Sequence, residues 1–162
     1  MKPEWHNILR REASAHHMCA ENRHALDCAD TEAEAIALYI KTIDWALEEG
    51  YPSIEVLRRY FTDCEEYGIF VDKVFHGELL DDRQVYVFHH CKGTIRTGLN
   101  IPRRRIPMLY FANGCEMSLL AKAQPLSIKP SMVPLYVFGE NHISTESDQE
   151  YVTWRVFDFE TK

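Results

Sequence analysis

Val85-Tyr86-Val87-Phe88, Met108-Leu109-Tyr110-Phe111 and Leu135-Tyr136-Val137-Phe138 are three apolar tetrads of one pattern, each closing on phenylalanine. Their β-branched and aromatic content, bounded by turn residues, predicts strands. Set side by side, the columns read Val85, Met108, Leu135; Tyr86, Leu109, Tyr136; Val87, Tyr110, Val137; and Phe88, Phe111, Phe138. A polar break follows each copy (His89 to Gly93, Ala112 to Cys115, Gly139 to Asn141), then a second apolar point at Ile95, Met117 or Ile143. The closing phenylalanines stand 23 and 27 residues apart, and Phe70, 18 residues before Phe88, reads as a degenerate earlier copy. Such spacings are those of stacked coils that bury their faces only against neighbours. The expected body is therefore a small β-solenoid, a single-stranded β-helix, with Ile101 to Pro107 and Gln124 to Pro130 projecting as inserts. The alternative is an antiparallel α+β sheet or sandwich, because Asn113-Gly114 between apolar runs is a hairpin signal that would fold Met108 to Leu120 back on itself. In either case four apolar columns require cover on both strand faces. Ile69-Phe70-Val71 and Tyr151 to Phe159 read as further strands.

Upstream of these runs the period is helical. A weakly amphipathic stretch opens after Pro3 with Trp5, Ile8 and Leu9 and reaches about Cys28. Thr31 with Glu34 is a capping-box signature, and Ala33, Ile36, Ala37, Ile40, Ile43 and Leu47 recur at helical spacing until Gly50. Ser53 then caps a short helix through Val56, Leu57, Tyr60 and Phe61, and Thr62 with Glu65 repeats the pattern for one turn ended by Gly68. The expected division is a helical cap over residues 1–68 and a β-repeat body over 69–162, one compact unit overall, as a length of 162 residues suggests.

Charge sharpens that division. Residues 1–82 carry 8 basic and 18 acidic side chains, residues 83–139 carry 8 basic against Glu116 alone, and residues 140–162 carry 2 against 6. The overall charge of −7 thus conceals an acidic helical part, a basic strand body and an acidic tail. Opposite fields of this kind attract within one fold or between two copies of it. No run approaches the ~18 apolar residues of a membrane helix, and the first residues lack a signal-peptide stretch, so a cytoplasmic protein without membrane attachment is expected. Met18 is an alternative start to Met1.

Leu57-Arg58-Arg59-Tyr60-Phe61, Tyr67-Gly68-Ile69-Phe70-Val71-Asp72 and the repeated Tyr/Val-Phe runs resemble those of small uncharacterised bacterial proteins, often found near mobile elements. Those proteins pair an N-terminal helical segment with short strand repeats, and the likeness covers most of the chain from about Met18. It implies an architecture and carries no activity or functional residue.

Chemistry-bearing residues are few and scattered. Cys19, Cys28, Cys64, Cys91 and Cys115 form no C-x-x-C pair, which points to reduced thiols rather than a disulfide framework or zinc ribbon. His24 and Cys28, four apart on a helix, share a face and are a weak metal-ligand pair. His89 and Cys91, two apart on a strand, are another. Cys64, Cys91 or Cys115, with a histidine and Asp72 or Glu116, is a candidate for nucleophilic chemistry, and Cys115, just after Asn113-Gly114, is the thiol expected to be most exposed. Between residues 83 and 139 Glu116 is the sole carboxylate, which disfavours a two-carboxylate glycosidase. Arg103-Arg104-Arg105, framed by Ile101-Pro102 and Ile106-Pro107, is the candidate ligand-binding loop for phosphates or nucleic acid. No phosphate loop or dinucleotide fingerprint is present, and no cofactor is implied. The leading expectation is a non-enzymatic structural or protein-interaction module, self-associating through an aromatic strand face. A phosphate- or nucleic-acid-binding module is the alternative, and a Cys/His site or carbohydrate enzyme ranks below it.

Overall fold

The computed structural model describes residues 2–61, 63–80, 82–97, 107–121, 131–147 and 152–160. The chain is α+β and divides into a helical unit ending at Asp63 and a strand unit spanning Cys64–Glu160.

Five helices build the first unit: α1 (Glu4–Ala15), α2 (Ala20–Cys28), α3 (Glu32–Lys41), α4 (Ile43–Glu49) and α5 (Ile54–Tyr60). Three of the expected caps are where the sequence puts them, and the fourth, Thr62, lies outside the described residues. Thr31 accepts the Glu34 N–H at 3.2 Å, Ser53 accepts the Val56 N–H at 3.4 Å, and Gly50 ends α4 in the left-handed region at φ +73°. The helix expected from Ala33 to Leu47 is broken in two at Thr42. There the threonine hydroxyl donates to the Leu38 carbonyl at 2.9 Å, a back-bond that competes with the helical ladder. Glu12 accepts both the Ser53 N–H and its hydroxyl at 2.7 Å, tying α1 to the start of α5.

After a 3₁₀ turn (Cys64–Tyr67), nine strands follow: β1 (Ile69–Val71), β2 (Val74–Leu80), β3 (Val85–His89), β4 (Lys92–Thr97), β5 (Met108–Phe111), β6 (Glu116–Ala121), β7 (Ser131–Phe138), β8 (His142–Ser147) and β9 (Val152–Phe159). They form two all-parallel sheets, of order β1-β3-β5-β7-β9 and β2-β4-β6-β8. This corrects both expectations for the strand body. No closure of the chain into solenoid coils is found among the described residues; the repeated tetrads are neighbouring parallel strands of one sheet. Their spacing showed that they stack, and two-faced burial suits a parallel sheet as well as a coil. The antiparallel alternative fails because Asn113-Gly114 is a corner between sheets, leading from β5 in one to β6 in the other, rather than a hairpin. Gly114 takes φ +85°, and Asn113 accepts the Glu140 N–H at 2.9 Å across that corner.

Register differs from the column alignment in the third copy. Phe88 pairs with Phe111, but Phe111 pairs with Val137 and Tyr110 with Tyr136. A slip of one residue exchanges the two faces, so Leu135 and Val137 join Tyr86, Phe88, Leu109 and Phe111 in the core. Those side chains meet Phe75, Ile95, Met117, Leu119 and Ala121 from the smaller sheet. Phe70, Phe88 and Phe111 stack in sequence, with ring centroids 5.5 and 5.0 Å apart. Tyr110, Tyr136 and Phe157 form a second ladder on the opposite face, at 4.6 and 5.1 Å. In the smaller sheet Met117 pairs with Ile143, whereas Ile95 pairs with Leu119. Pro134, inside β7, precedes the first β5–β7 pair at Leu109–Leu135, so its missing N–H interrupts no pairing on that side.

Candidate functional site

His24 and Cys28 lie together on α2, with Nε2 and Sγ 3.7 Å apart and both residues exposed. His89 and Cys91 do not share a face. His90 between them takes φ +52°, which ends the strand and breaks its two-residue period. Cys91 therefore enters the intersheet core, while His89, next to core-facing Phe88, occupies the opposite face of β3. Among the described residues no three His, Cys, Asp or Glu side chains gather as a metal site would require.

Cys115 is buried, against the expectation that it is the most exposed thiol. Its Sγ donates to the Phe88 carbonyl at 3.5 Å, and Cys91 Sγ donates to that of Phe70 at the same distance, one strand earlier. The corner turns Cys115 inward: Gly114 supplies the left-handed residue and Asn141 Oδ1 accepts the Cys115 N–H at 2.9 Å. Burial pushes the Cys91 thiol up to about 12 and that of Cys115 up to about 11. Neither supplies a thiolate nucleophile near neutrality. His89 is held neutral, its pKa depressed to about 3 by burial and then by His90, with Asp72 opposing. Arg103, Arg104 and Arg105 lie outside the described residues.

A shallow depression of about 440 Å³ on the smaller sheet is lined by Glu116, Met117, Ser118, His142, Ile143 and Ser144. Glu116 stands beside His142 in register, but the Ser144 hydroxyl donates to Ser118 at 3.0 Å, and no hydrogen bond joins His142 to either serine among the described residues. The arrangement lacks the nucleophile–base contact of a hydrolase.

The feature that stands out is an edge. Of the five large apolar side chains exposed among the described residues, Val74 and Leu79 lie on β2 and Val156 and Phe159 on β9; Met132 is the fifth. Each sheet ends on two edge strands, and three of the four are blunted. Three residues make up β1, and β8 presents mainly His142, Ser144, Thr145 and Glu146. In β2 a bulge lies between His76 and Glu78, and the Glu78 carboxylate accepts the His76 N–H at 2.9 Å from both oxygens. By contrast, β9 runs eight residues in unbroken register with β7 and contains neither glycine nor proline.

Backbone direction in β9 follows from one bond. The Gly139 N–H donates to the Phe159 carbonyl at 3.1 Å, so Phe159 faces β7. Lateral direction alternates along a strand, hence Thr153, Arg155 and Phe157 also face β7, and Trp154, Val156 and Asp158 turn their N–H and C=O groups outward. Their side chains point to the core side, where Val156 remains 50% exposed. On the other face the guanidinium of Arg155 covers the Phe157 ring at 4.7 Å and closes the aromatic ladder. Sequence reading identified the strand over 151–159 but missed its place at the end of the larger sheet among the described residues, which no local pattern signals.

No family model matches the chain, and no match is found among curated proteins or solved structures. No helix among the described residues is long and apolar enough to cross a membrane.

Proposed function

We propose that this chain is a non-enzymatic protein-interaction module that associates with copies of itself through the open edge of β9. The observation that carries the reading is the outward row of backbone groups at Trp154, Val156 and Asp158 on a long, regular strand that pairs only with β7 among the described residues. An edge of this kind is a template for another strand, and the other three edges carry devices against such pairing. Half-exposed Val156 and Phe159, 42% exposed, add apolar area to the contact. Protonated, buried thiols and a neutral, buried His89 offer no reactive centre in competition with this reading.

Sedimentation velocity of the wild type and of Val156→Pro tests it. Proline removes an outward N–H while leaving the β7 ladder intact, the position in which edge strands tolerate it. The wild type should sediment as a dimer at tens of micromolar and the variant as a monomer with unchanged circular dichroism. A wild type that stays strictly monomeric, or a variant that dimerises equally well, defeats the proposal.

A further inference from the structure

We infer that two β9 strands pair antiparallel about a two-fold axis that passes through Val156. This rests on self-association through β9 and specifies its register. An axis perpendicular to the sheet keeps the core faces of both copies on one side. Each residue then meets a partner residue of its own face, and the two positions sum to an even number. Odd sums would set the Trp154 and Val156 face against the partner's opposite face.

Charge counts against three of the even registers. With the axis at Arg155 two guanidinium groups stand directly opposite, and with the axis at Asp158 two carboxylates do; like charges at opposed positions destabilise a sheet. An axis at Phe157 sets Asp158 against the partner's Val156 and brings the two Asp158 carboxylates to neighbouring positions across the seam. With the axis at Val156, that valine meets the partner's Val156 and Arg155 meets the partner's Phe157. Thr153 meets the partner's Phe159, and the two aspartates stand four positions apart. Arg155 already lies over its own Phe157 at 4.7 Å and gains a second ring. The residues with outward backbones then oppose one another as Trp154 with the partner's Asp158 and Val156 with the partner's Val156. These are pairs of the kind that exchange both hydrogen bonds. With the axis at Val156 the strand is complementary to itself, since no like charges oppose and Arg155 gains the partner's Phe157 ring, and this points to a second copy as its occupant.

Cysteine trapping reads the register directly. In a background with exposed Cys19 and Cys28 changed to serine, Val156→Cys and Phe157→Cys are each oxidised with glutathione disulfide. Two protein thiols form one intermolecular disulfide, and the oxidant leaves as two glutathione thiols. Directly opposed hydrogen-bonded residues have Cα atoms about 5.5 Å apart, inside the disulfide range. Val156→Cys should give a covalent dimer roughly ten times faster than Phe157→Cys, whose sulfurs start about 7–8 Å or more apart on the diagonal. A dimer trapped faster by Phe157→Cys overturns the register and leaves self-association standing. Absence of both covalent species, together with a wild type that sediments as a monomer, overturns both. Should Val156→Cys misfold, cross-peaks between the Val156 amide and its symmetry mate in mixed-label wild-type dimers provide the same test, and their absence in a proven dimer overturns the register.

Discussion

Replacing Gly93 by alanine probes how closely the stacked strands approach. Gly93 takes φ +105° and pairs with Phe75, and a Cβ there would overlap the Phe75 carbonyl oxygen while lying 2.9 Å from its carbonyl carbon and nitrogen. These are backbone atoms of a sheet neighbour and cannot swing aside as a side chain would. Gly77 provides the control: it takes φ +90°, yet a Cβ meets nothing within 4 Å. Alanine at Gly77 thus suffers only the positive-φ strain, about 1–2 kcal/mol. At Gly93 the same strain is joined by a displacement of β2 of about 1 Å, costing one or two ladder hydrogen bonds at about 1 kcal/mol each. Looser packing of Phe75, whose ring lies 5.0 Å from Phe70 and 5.7 Å from Phe88, brings the sum to about 3–5 kcal/mol. Urea unfolding followed by Trp154 fluorescence, in a background with Trp5 and Trp45 changed to phenylalanine, measures the strand unit alone. With an m-value of about 2 kcal/mol per molar, Gly93→Ala should unfold about 1 M below Gly77→Ala. Coincident midpoints would refute the close approach of β2 and β4.

Buried His89 makes stability fall on acidification. Its folded pKa of about 3 lies below the unfolded value of 6.5, so between those pH values the unfolded chain holds a proton that the folded chain lacks. Stability is full above about pH 6.5 and declines toward pH 3 at no more than about 1.4 kcal/mol per pH unit. Between pH 7 and 5 the wild type should therefore lose up to about 2 kcal/mol more than His89→Asn by urea titration; equal losses would show that His89 is not buried neutral. Thiol labelling tests the core placement of the cysteines. Iodoacetamide at pH 8 should modify Cys19 and Cys28 in native protein, with Cys64, Cys91 and Cys115 reacting only in denaturant. Rapid native labelling of Cys115 would contradict the inward turn at Gly114.

Helices were the most legible part of the chain because their signals are local: Thr31, Ser53 and Gly50 act within one turn. Thr42 escaped notice since its back-bond to Leu38 is one of two rotamer choices that the sequence does not distinguish. The tetrads announced their strands, but four apolar columns carry no alternation, and alternation is what sets a register. The third copy accordingly slipped by one, and Phe138 stacks on Phe159 at 4.7 Å instead of joining Phe111. Strand β2 went unread because Val74 to Leu80 mixes His76, Gly77 and Glu78 into its middle, and its bulge interrupts the period. The solenoid expectation rested on the repeat alone, and a repeat shows which strands are equivalent without showing how they are joined. For the candidate site, polar Asn113-Gly114 suggested an exposed Cys115, whereas the same two residues turn the chain toward the core. The weight placed on β9 depends on which strand ends the sheet, a property of topology that no local pattern encodes.

Residue-resolved hydrogen exchange of wild-type protein across a concentration series tests self-association through β9 most directly. Amides of Thr153, Arg155, Phe157 and Phe159 face β7 and should be protected at every concentration. Those of Trp154, Val156 and Asp158 should exchange freely in dilute protein and become protected as copies pair at tens to hundreds of micromolar. If these three amides exchange freely at all concentrations while the other four stay protected, the strand is present and the edge is not an interface.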